Sequence, residues 1–189
     1  MIALLGGSFN PIHKGHTGLA RWIVTHGYAD KTWLMVSPHN PLKAAPELAD
    51  EALRLRWTRL ACEHIEGVEA CDFEFTLPRP SYTYQTLQAL RGAYPQEHFA
   101  LAIGADNWLC FNRWKNYEWI LANVELLVYP RQGYDIDATT LPHRVQLIPA
   151  PLFPQSSTTI RQRIKQGEDV SEMLAEDVWH DIKQRKSYL

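Results

Sequence analysis

Compact apolar runs alternate along the chain with stretches in which apolar residues recur at helical spacing. A short apolar run that ends in a Gly or Pro turn is typical of a strand buried on both faces of a parallel sheet. Such runs predict strands at residues 2–5, 32–36, 99–103, 126–129 and 145–148. Residues 70–75 are a further candidate, because Cys71, Phe73 and Phe75 would lie on one face of a strand.

Helices are predicted between these strands and after the last of them. The apolar spacing places them at about 15–26, along 53–64, after residue 83, from Ser156–Ser157 to Gly167, and at about 175–185. Strands that alternate with helices predict an α/β fold, a doubly wound, Rossmann-like parallel sheet with a small helical C-terminal appendage. We expect one domain over residues 1–189, in which the helical C-terminal part covers about 156–189.

Composition narrows the class of protein. The 19 basic and 21 acidic residues give a net charge of −2, which argues against a nucleic-acid coat or a polybasic membrane protein but leaves room for a local basic pocket. Three cysteines without CxxC spacing disfavour a disulfide framework or a Cys-based zinc site and favour a reducing compartment. The apolar run at residues 2–5 is too short for a signal sequence or a membrane span, so we expect a cytoplasmic protein.

The turn after the first predicted strand carries the candidate chemistry. Residues 6–16 read GGSFNPIHKGH. Glycines let the backbone approach a ligand closely, and the start of the next helix offers N–H groups suited to phosphate. His13 and His16 stand at the same helix start, where they could converge on one anionic group. From spacing alone, an ordinary turn with two surface histidines remains the alternative.

Several other chemistries lose support at this turn. A zinc site would need a third ligand close to the two histidines at helical spacing, and none is present. The chain contains neither a Rossmann G-x-G-x-x-G nor a G-x-x-x-x-G-K-[ST] loop. A dinucleotide oxidoreductase and a P-loop nucleotide-binding protein are therefore disfavoured.

Two motifs resemble those of a known superfamily. The turn resembles the GG[ST]F[DN]PxHxGH signature of the nucleotidyltransferases. Residues 155–161, QSSTTIR, resemble the superfamily's ISSTxIR, with Gln155 where the family usually has Ile. Because the motifs stand near opposite ends of the chain and in the family's order, the chain is identified as a member of this superfamily.

Four further segments resemble the bacterial nicotinate-mononucleotide adenylyltransferases, so that the resemblance covers nearly the whole chain. They are SYTxxTL at 81–87, IGxD at 103–106, FxxW at 111–114 and RxG at 131–133. The chain departs from the family after the second predicted strand, where PPHK is common and residues 40–43 read NPLK. Leu42 thus replaces the family's histidine, while Lys43 keeps its lysine.

The resemblance implies that AMP is transferred from ATP to nicotinate mononucleotide, which gives deamido-NAD and pyrophosphate with no covalent enzyme intermediate. It implies catalytic roles for His13, His16 and Arg161, with Mg²⁺ carried by ATP and no metal site in the protein. The ATP-binding residues that it implies are Gly7, Ser8, Phe9, His13, His16, Gly104, Asp106, Ser156, Ser157 and Arg161. The residues implied for the pyridine nucleotide are Lys43, Thr83, Trp114 and Arg131.

Alternatives stay open at this point. Nicotinamide mononucleotide is an alternative acceptor, and the oligomeric state and the role of the 38–50 loop are undetermined. A phosphopantetheine adenylyltransferase would share HxGH and SSTxIR, although it would lack SYTxxTL and FxxW. A regulatory module without turnover is disfavoured by the phosphate-gripping residues, and an aminoacyl-tRNA synthetase by the length. Packing for Trp114, helix capping for Thr83 and a structural role for Arg131 are the competing interpretations.

Overall fold

Six parallel strands form one sheet in a computed structural model that describes residues 1–38 and 48–188. The strands are β1 (Ile2–Gly7), β2 (Lys31–Val36), β3 (Val68–Cys71), β4 (Phe99–Gly104), β5 (Glu125–Tyr129) and β6 (Val145–Leu147). Every neighbouring pair is parallel. The predicted doubly wound α/β fold is confirmed.

Seven α-helices connect and follow these strands in the described part of the chain. They are α1 (Lys14–Thr25), α2 (Glu51–Cys62), α3 (Thr83–Ala93), α4 (Ala105–Trp108), α5 (Tyr117–Asn123), α6 (Ser157–Lys165) and α7 (Glu176–Gln184). Local chemistry explains individual ends: the Asp50 carboxylate caps α2 by accepting from the N–H groups of Ala52 and Leu53. No helix in the described ranges combines the length and the apolar character that a membrane crossing requires.

The order of the strands determines where a ligand can bind. The sheet runs β3-β2-β1-β4-β5-β6, so the chain moves outward from β1 to β3 and then returns to the other side of β1. The strand order therefore reverses between β1 and β4. In open α/β sheets, the crevice beyond the carboxyl ends of the strands at such a switch point is the usual ligand site.

The two faces of the sheet carry separate apolar cores. Alternate residues of β1 point to opposite faces, so Ala3 joins one cluster and Leu4 the other. The first cluster includes residues of α1, α2, α6 and α7, and the second includes residues of α3 and α5. Ile160 of α6 and Ile182 of α7 belong to the first cluster, so the C-terminal helices pack on the same side of the sheet as α1.

The predicted strand at 70–75 is wrong in its extent and its facing. The strand β3 ends at Cys71, and a 3₁₀ turn follows at Phe73–Thr76. Within this turn, Phe73 packs against one core and Phe75 against the other. The alternating aromatic pattern therefore serves both faces of the sheet at its edge, which a straight strand could not do.

Candidate active site

The turn between β1 and α1 is built around a buried phenylalanine. Phe9 has a φ of 45°, in the left-handed region that bulky residues rarely adopt, and it is 3% exposed. Its ring lies under Gly7, where an added Cβ would come within 2.8 Å of the ring. The same ring meets the His16 imidazole edge to face, with centroids 5.0 Å apart. The second glycine of the pair thus makes room for a side chain that supports His16.

The two histidines of the motif form one stacked unit. Their ring centroids are 3.6 Å apart and their planes differ by 19°. His13 is the N-cap residue of α1, and its main-chain N–H donates to Nδ1 of His16 at 3.3 Å. Because Nδ1 of His16 accepts this hydrogen bond, Nε2 carries the proton of that ring. The cap therefore fixes His16 as a donor through Nε2.

His13 is neutral at physiological pH. Burial, assisted by the positive charge of Arg131, lowers the pKa of its imidazole to about 4. The side chain is 6% exposed, and its Nδ1 has no hydrogen-bond partner among the described residues. His13 can therefore offer a neutral N–H to an anion, but it brings no positive charge.

The glycine between the histidines is required by packing. An added Cβ on Gly15 would lie 3.0 Å from Nδ1 of His13 and 3.0 Å from Oε1 of Gln155. Gln155 belongs to the segment that leads into α6, where the chain departs from ISSTxIR. The HxGH motif thus has glycine at this position because the segment before α6 approaches α1 closely.

The start of α6 is anchored to the same turn. Ser157 Oγ donates to the carbonyl of Pro11 at 2.9 Å, and Arg161 Nη1 donates to the carbonyl of Asn10 at 2.8 Å. Ser156 occupies the N-cap position of α6, as predicted. The two ends of the chain that carry the superfamily motifs therefore meet in space.

Residues that follow β4 and β5 line the candidate site on the β4 side of the switch point. Asp106 lies in the first turn of α4, and its Oδ1 is 3.5 Å from Nε of Arg131. An added Cβ on Gly104 would collide with Oδ1 of Asp106 and lie 3.0 Å from Arg131. Arg131 also lies over the ring of Tyr129 and influences His13 electrostatically. Gly104, Asp106 and Arg131 thus share the switch-point edge with the histidine pair.

The candidate pyridine residues occupy neighbouring segments. Thr83 is the first residue of α3 and is half-buried. Trp114 is half-buried against the ring of Phe111, with centroids 5.1 Å apart. The ammonium of Lys115 lies 4.3 Å from the ring centroid of Tyr82, which joins the Trp114 segment to the start of α3. Lys43 lies outside the described residues.

Comparison of the sequence with known proteins shows which family the chain belongs to. The cytidylyltransferase-like family model matches residues 4–163. A Bacteroides thetaiotaomicron protein named "probable nicotinate-nucleotide adenylyltransferase" is 44% identical over 96% of this chain and 90% of its own length. The chain belongs to the nicotinate-nucleotide adenylyltransferase family. A relative with the same name from Flavobacterium johnsoniae is 38% identical over 99% of this chain and 98% of its own length.

A solved structure extends the likeness to the fold. The nicotinic acid mononucleotide adenylyltransferase of Plasmodium falciparum, complexed with NaAD, aligns with a TM-score of 0.81. The alignment covers 99% of this chain and 96% of the other at 17% identity, so it supports the fold alone. The family that the motifs predicted is confirmed.

Arg54 holds together the main-chain segments next to the candidate active site. It belongs to none of the sequence motifs, so no motif predicted its role. The side chain is wholly buried in α2 and donates to four main-chain carbonyls. They belong to Ser8 (2.6 Å), Ser37 (2.7 Å), Pro38 (2.6 Å) and Ala49 (2.9 Å). Burial lowers the pKa of the guanidinium, yet the group remains a cation at neutral pH. Arg54 thereby joins the ends of β1 and β2 to the start of α2.

A potential cation site lies elsewhere on the surface. In the described ranges, Glu63, His64 and Asp177 place one ligand atom each within 4.8 Å of the others. All three side chains are exposed, at the end of α2 and the start of α7. This group shares no residue with the candidate active site.

Proposed function

We propose that the protein transfers the adenylyl group of ATP to nicotinate mononucleotide, which yields deamido-NAD and pyrophosphate. The observation that carries this proposal is the convergence of His13, His16 and Arg161 on one turn at the switch point of the sheet. Family membership supplies the acceptor class.

The reaction is a single in-line displacement. A 5′-phosphate oxygen of the acceptor attacks the α-phosphorus of ATP, and the bond from that phosphorus to the oxygen bridging to the β-phosphate breaks. The electron pair leaves with pyrophosphate. Because the acceptor phosphate is already an anion at neutral pH, the step needs no general base and no protein nucleophile. Catalysis then consists of positioning two polyanions and stabilising the charge that develops.

The histidine pair and α6 are assigned to the triphosphate. His16 donates from Nε2, and His13 donates as a neutral imidazole to the α- and β-phosphate region. The backbone of Gly7, Ser8 and Phe9 and the N–H groups at Ser156 and Ser157 hold phosphate oxygens at the two helix starts. Arg161 supplies positive charge for the β- and γ-phosphates. Its Nη1 also donates to the Asn10 carbonyl and so keeps the turn in place.

The crevice beyond β4 is assigned to the adenosine moiety. Gly104 has no side chain to obstruct the approach of the nucleotide, and Asp106 accepts from a ribose hydroxyl. Mg²⁺ would be carried by ATP, and its charge would screen the phosphates there. The donors around the turn are N–H groups and cations, and Asp106 already faces Arg131, so this set of residues suits phosphate oxygens rather than a metal ion.

The acceptor is assigned to the region between α3 and the Trp114 segment. The indole of Trp114 stacks on the pyridine ring, and the main chain at Thr83 meets the pyridine carboxylate. Arg131 and Lys43 contribute positive charge for the acceptor phosphate.

The test compares three acceptors under the same conditions. Purified protein is incubated with ATP and Mg²⁺ and with nicotinate mononucleotide, nicotinamide mononucleotide or phosphopantetheine. Released pyrophosphate and the adenylylated product are both quantified in each case. We expect the highest kcat/KM with nicotinate mononucleotide. A preference for the nicotinamide form would revise the acceptor, and turnover with phosphopantetheine alone would contradict the proposal.

A further inference from the structure

The side chain of Asn10 accepts hydrogen bonds from two segments that are distant in the sequence. The hydroxyl of Tyr188 donates to Oδ1 of Asn10 at 2.6 Å, and the N–H of Ala49 donates to the same oxygen at 3.1 Å. The main-chain carbonyl of Asn10 accepts from Arg161. One residue of the catalytic turn is thus held by Arg161 of α6, by the segment before α2 and by a residue that follows α7.

The surroundings of Tyr188 keep its hydroxyl a donor. The ring is half-buried and lies 5.7 Å from the ring of Trp57, centroid to centroid. Burial raises the pKa of Tyr188, although the nearby charges of Arg161 and Arg54 oppose the rise. The phenol therefore stays protonated at every pH at which the protein would work.

The turn needs such an anchor because its backbone is strained. Phe9, directly before Asn10, has a φ of 45°, and a bulky residue keeps this conformation only when its neighbours hold it there. The Phe9 ring supports His16, and the Asn10 carbonyl holds Arg161. A small relaxation at Asn10 would move both groups at once.

We propose that Tyr188 is a positioning residue for adenylyl transfer, and that it acts by holding the Asn10 side chain and so the turn that orients His16 and Arg161. The inference rests on the proposed function. It assigns to Tyr188, in the segment after α7, an indirect part in catalysis through the Asn10 side chain.

The variant Tyr188→Phe removes the hydroxyl and leaves the ring in place. We expect kcat to fall about two- to tenfold, the range that one neutral hydrogen bond supports, with little change in the KM for ATP. Tyr28→Phe is the matched control, because the Tyr28 ring also lies against a tryptophan, Trp22, but stands between α1 and β2, away from Asn10 in the chain. This control is expected to keep the wild-type kcat.

A double-mutant cycle separates positioning from simple stabilisation. If Tyr188 acts through Asn10, adding Tyr188→Phe to Asn10→Ala will lower kcat little further, because the acceptor is already gone. All rates are measured well below the unfolding temperature of each variant. A purely structural role would lower that temperature and leave kcat unchanged, and independent, multiplicative losses would also overturn the inference.

The same assays distinguish the two levels of the account. Wild-type turnover with nicotinate mononucleotide combined with an unaltered kcat in Tyr188→Phe defeats only the role of Tyr188. A wild-type protein that forms no dinucleotide defeats the proposed function and, with it, this inference.

Discussion

His13 holds His16 in two ways, by a main-chain hydrogen bond to Nδ1 at 3.3 Å and by ring stacking at 3.6 Å. The first contact fixes which nitrogen of His16 carries a proton, and the second fixes the plane in which that N–H points. A donor that is oriented before the substrate arrives needs no reorganisation when charge develops on the phosphates. The two histidines therefore act together, with His13 orienting the N–H donor of His16 in advance.

Truncating His16 should remove most of this stabilisation. In His16→Ala we expect kcat to fall by about 10²–10³, the loss measured for a single preorganised donor to a developing oxyanion. His26→Ala is the matched control, since His26 lies just after the other end of α1 and stacks on Trp22. Initial rates at saturating substrates would show whether the two variants differ. Equal kcat values in His16→Ala and the wild type would remove His16 from the mechanism.

Acidification should destabilise the fold through His13. Its pKa is about 4 in the folded protein and near 6.5 as the ordinary value, so between these pH values the unfolded chain binds a proton that the folded chain does not. The free energy of unfolding attributable to this group thus falls as the pH is lowered from 6.5 to 4, by about 3 kcal/mol in all.

Urea unfolding at several pH values tests this dependence. The variant His13→Gln lacks the titrating group but shares all other ionisable groups with the wild type, so the difference between the two proteins isolates His13. We expect the wild type to lose more stability than the variant between pH 6.5 and 4, and no difference in slope above pH 7. Parallel curves throughout would show that His13 is not held neutral.

Removing the Arg54 guanidinium should be costly for stability. Arg54→Met fills similar space but leaves four carbonyls without their donor, so we expect a loss of about 3–5 kcal/mol in the free energy of unfolding. Arg59→Met, on the exposed face of the same helix, breaks a surface pair with Asp72 and should cost about 1 kcal/mol or less. Similar losses in both variants would contradict the role assigned to Arg54.

Trp114 should govern the acceptor rather than ATP. We expect Trp114→Ala to raise the KM for nicotinate mononucleotide about 5- to 150-fold, since one aromatic stacking contact with a base contributes about 1–3 kcal/mol. Trp119→Ala makes the same truncation on α5, where the indole pairs with Arg91, and should leave the ratio of the two KM values unchanged. Equal rises in the KM for ATP and for the acceptor in Trp114→Ala would indicate a folding role instead.

The sequence predicted the fold best where burial is uniform. The segments around β1, β4 and β5 are continuous apolar runs because central parallel strands are covered on both faces, and each was located within a few residues. At the edge of the sheet, the alternation of Cys71, Phe73 and Phe75 resembled the pattern of a strand. The rings of Phe73 and Phe75 in fact pack against different cores. Apolar periodicity registers that a residue is buried, but not which layer buries it.

The candidate site was predictable only where its chemistry forms a motif. His13, His16 and Arg161 stand in such motifs, and the structure brings them to one turn. Arg54 and Tyr188 act through main-chain carbonyls and a single amide oxygen, and neither partner leaves a pattern in the sequence. Contacts of this kind depend on the order of the strands, which emerges only with the assembled sheet.

Transfer of the adenylyl group itself is the most direct test of the account. Protein is mixed with Mg²⁺, nicotinate mononucleotide and ATP radiolabelled on the α-phosphate, and the products are separated after a single turnover and after many. We expect the label in deamido-NAD at both times, with none in pyrophosphate and none attached to the quenched protein. Label retained on the protein, or no labelled dinucleotide, would contradict direct transfer from ATP to the acceptor phosphate.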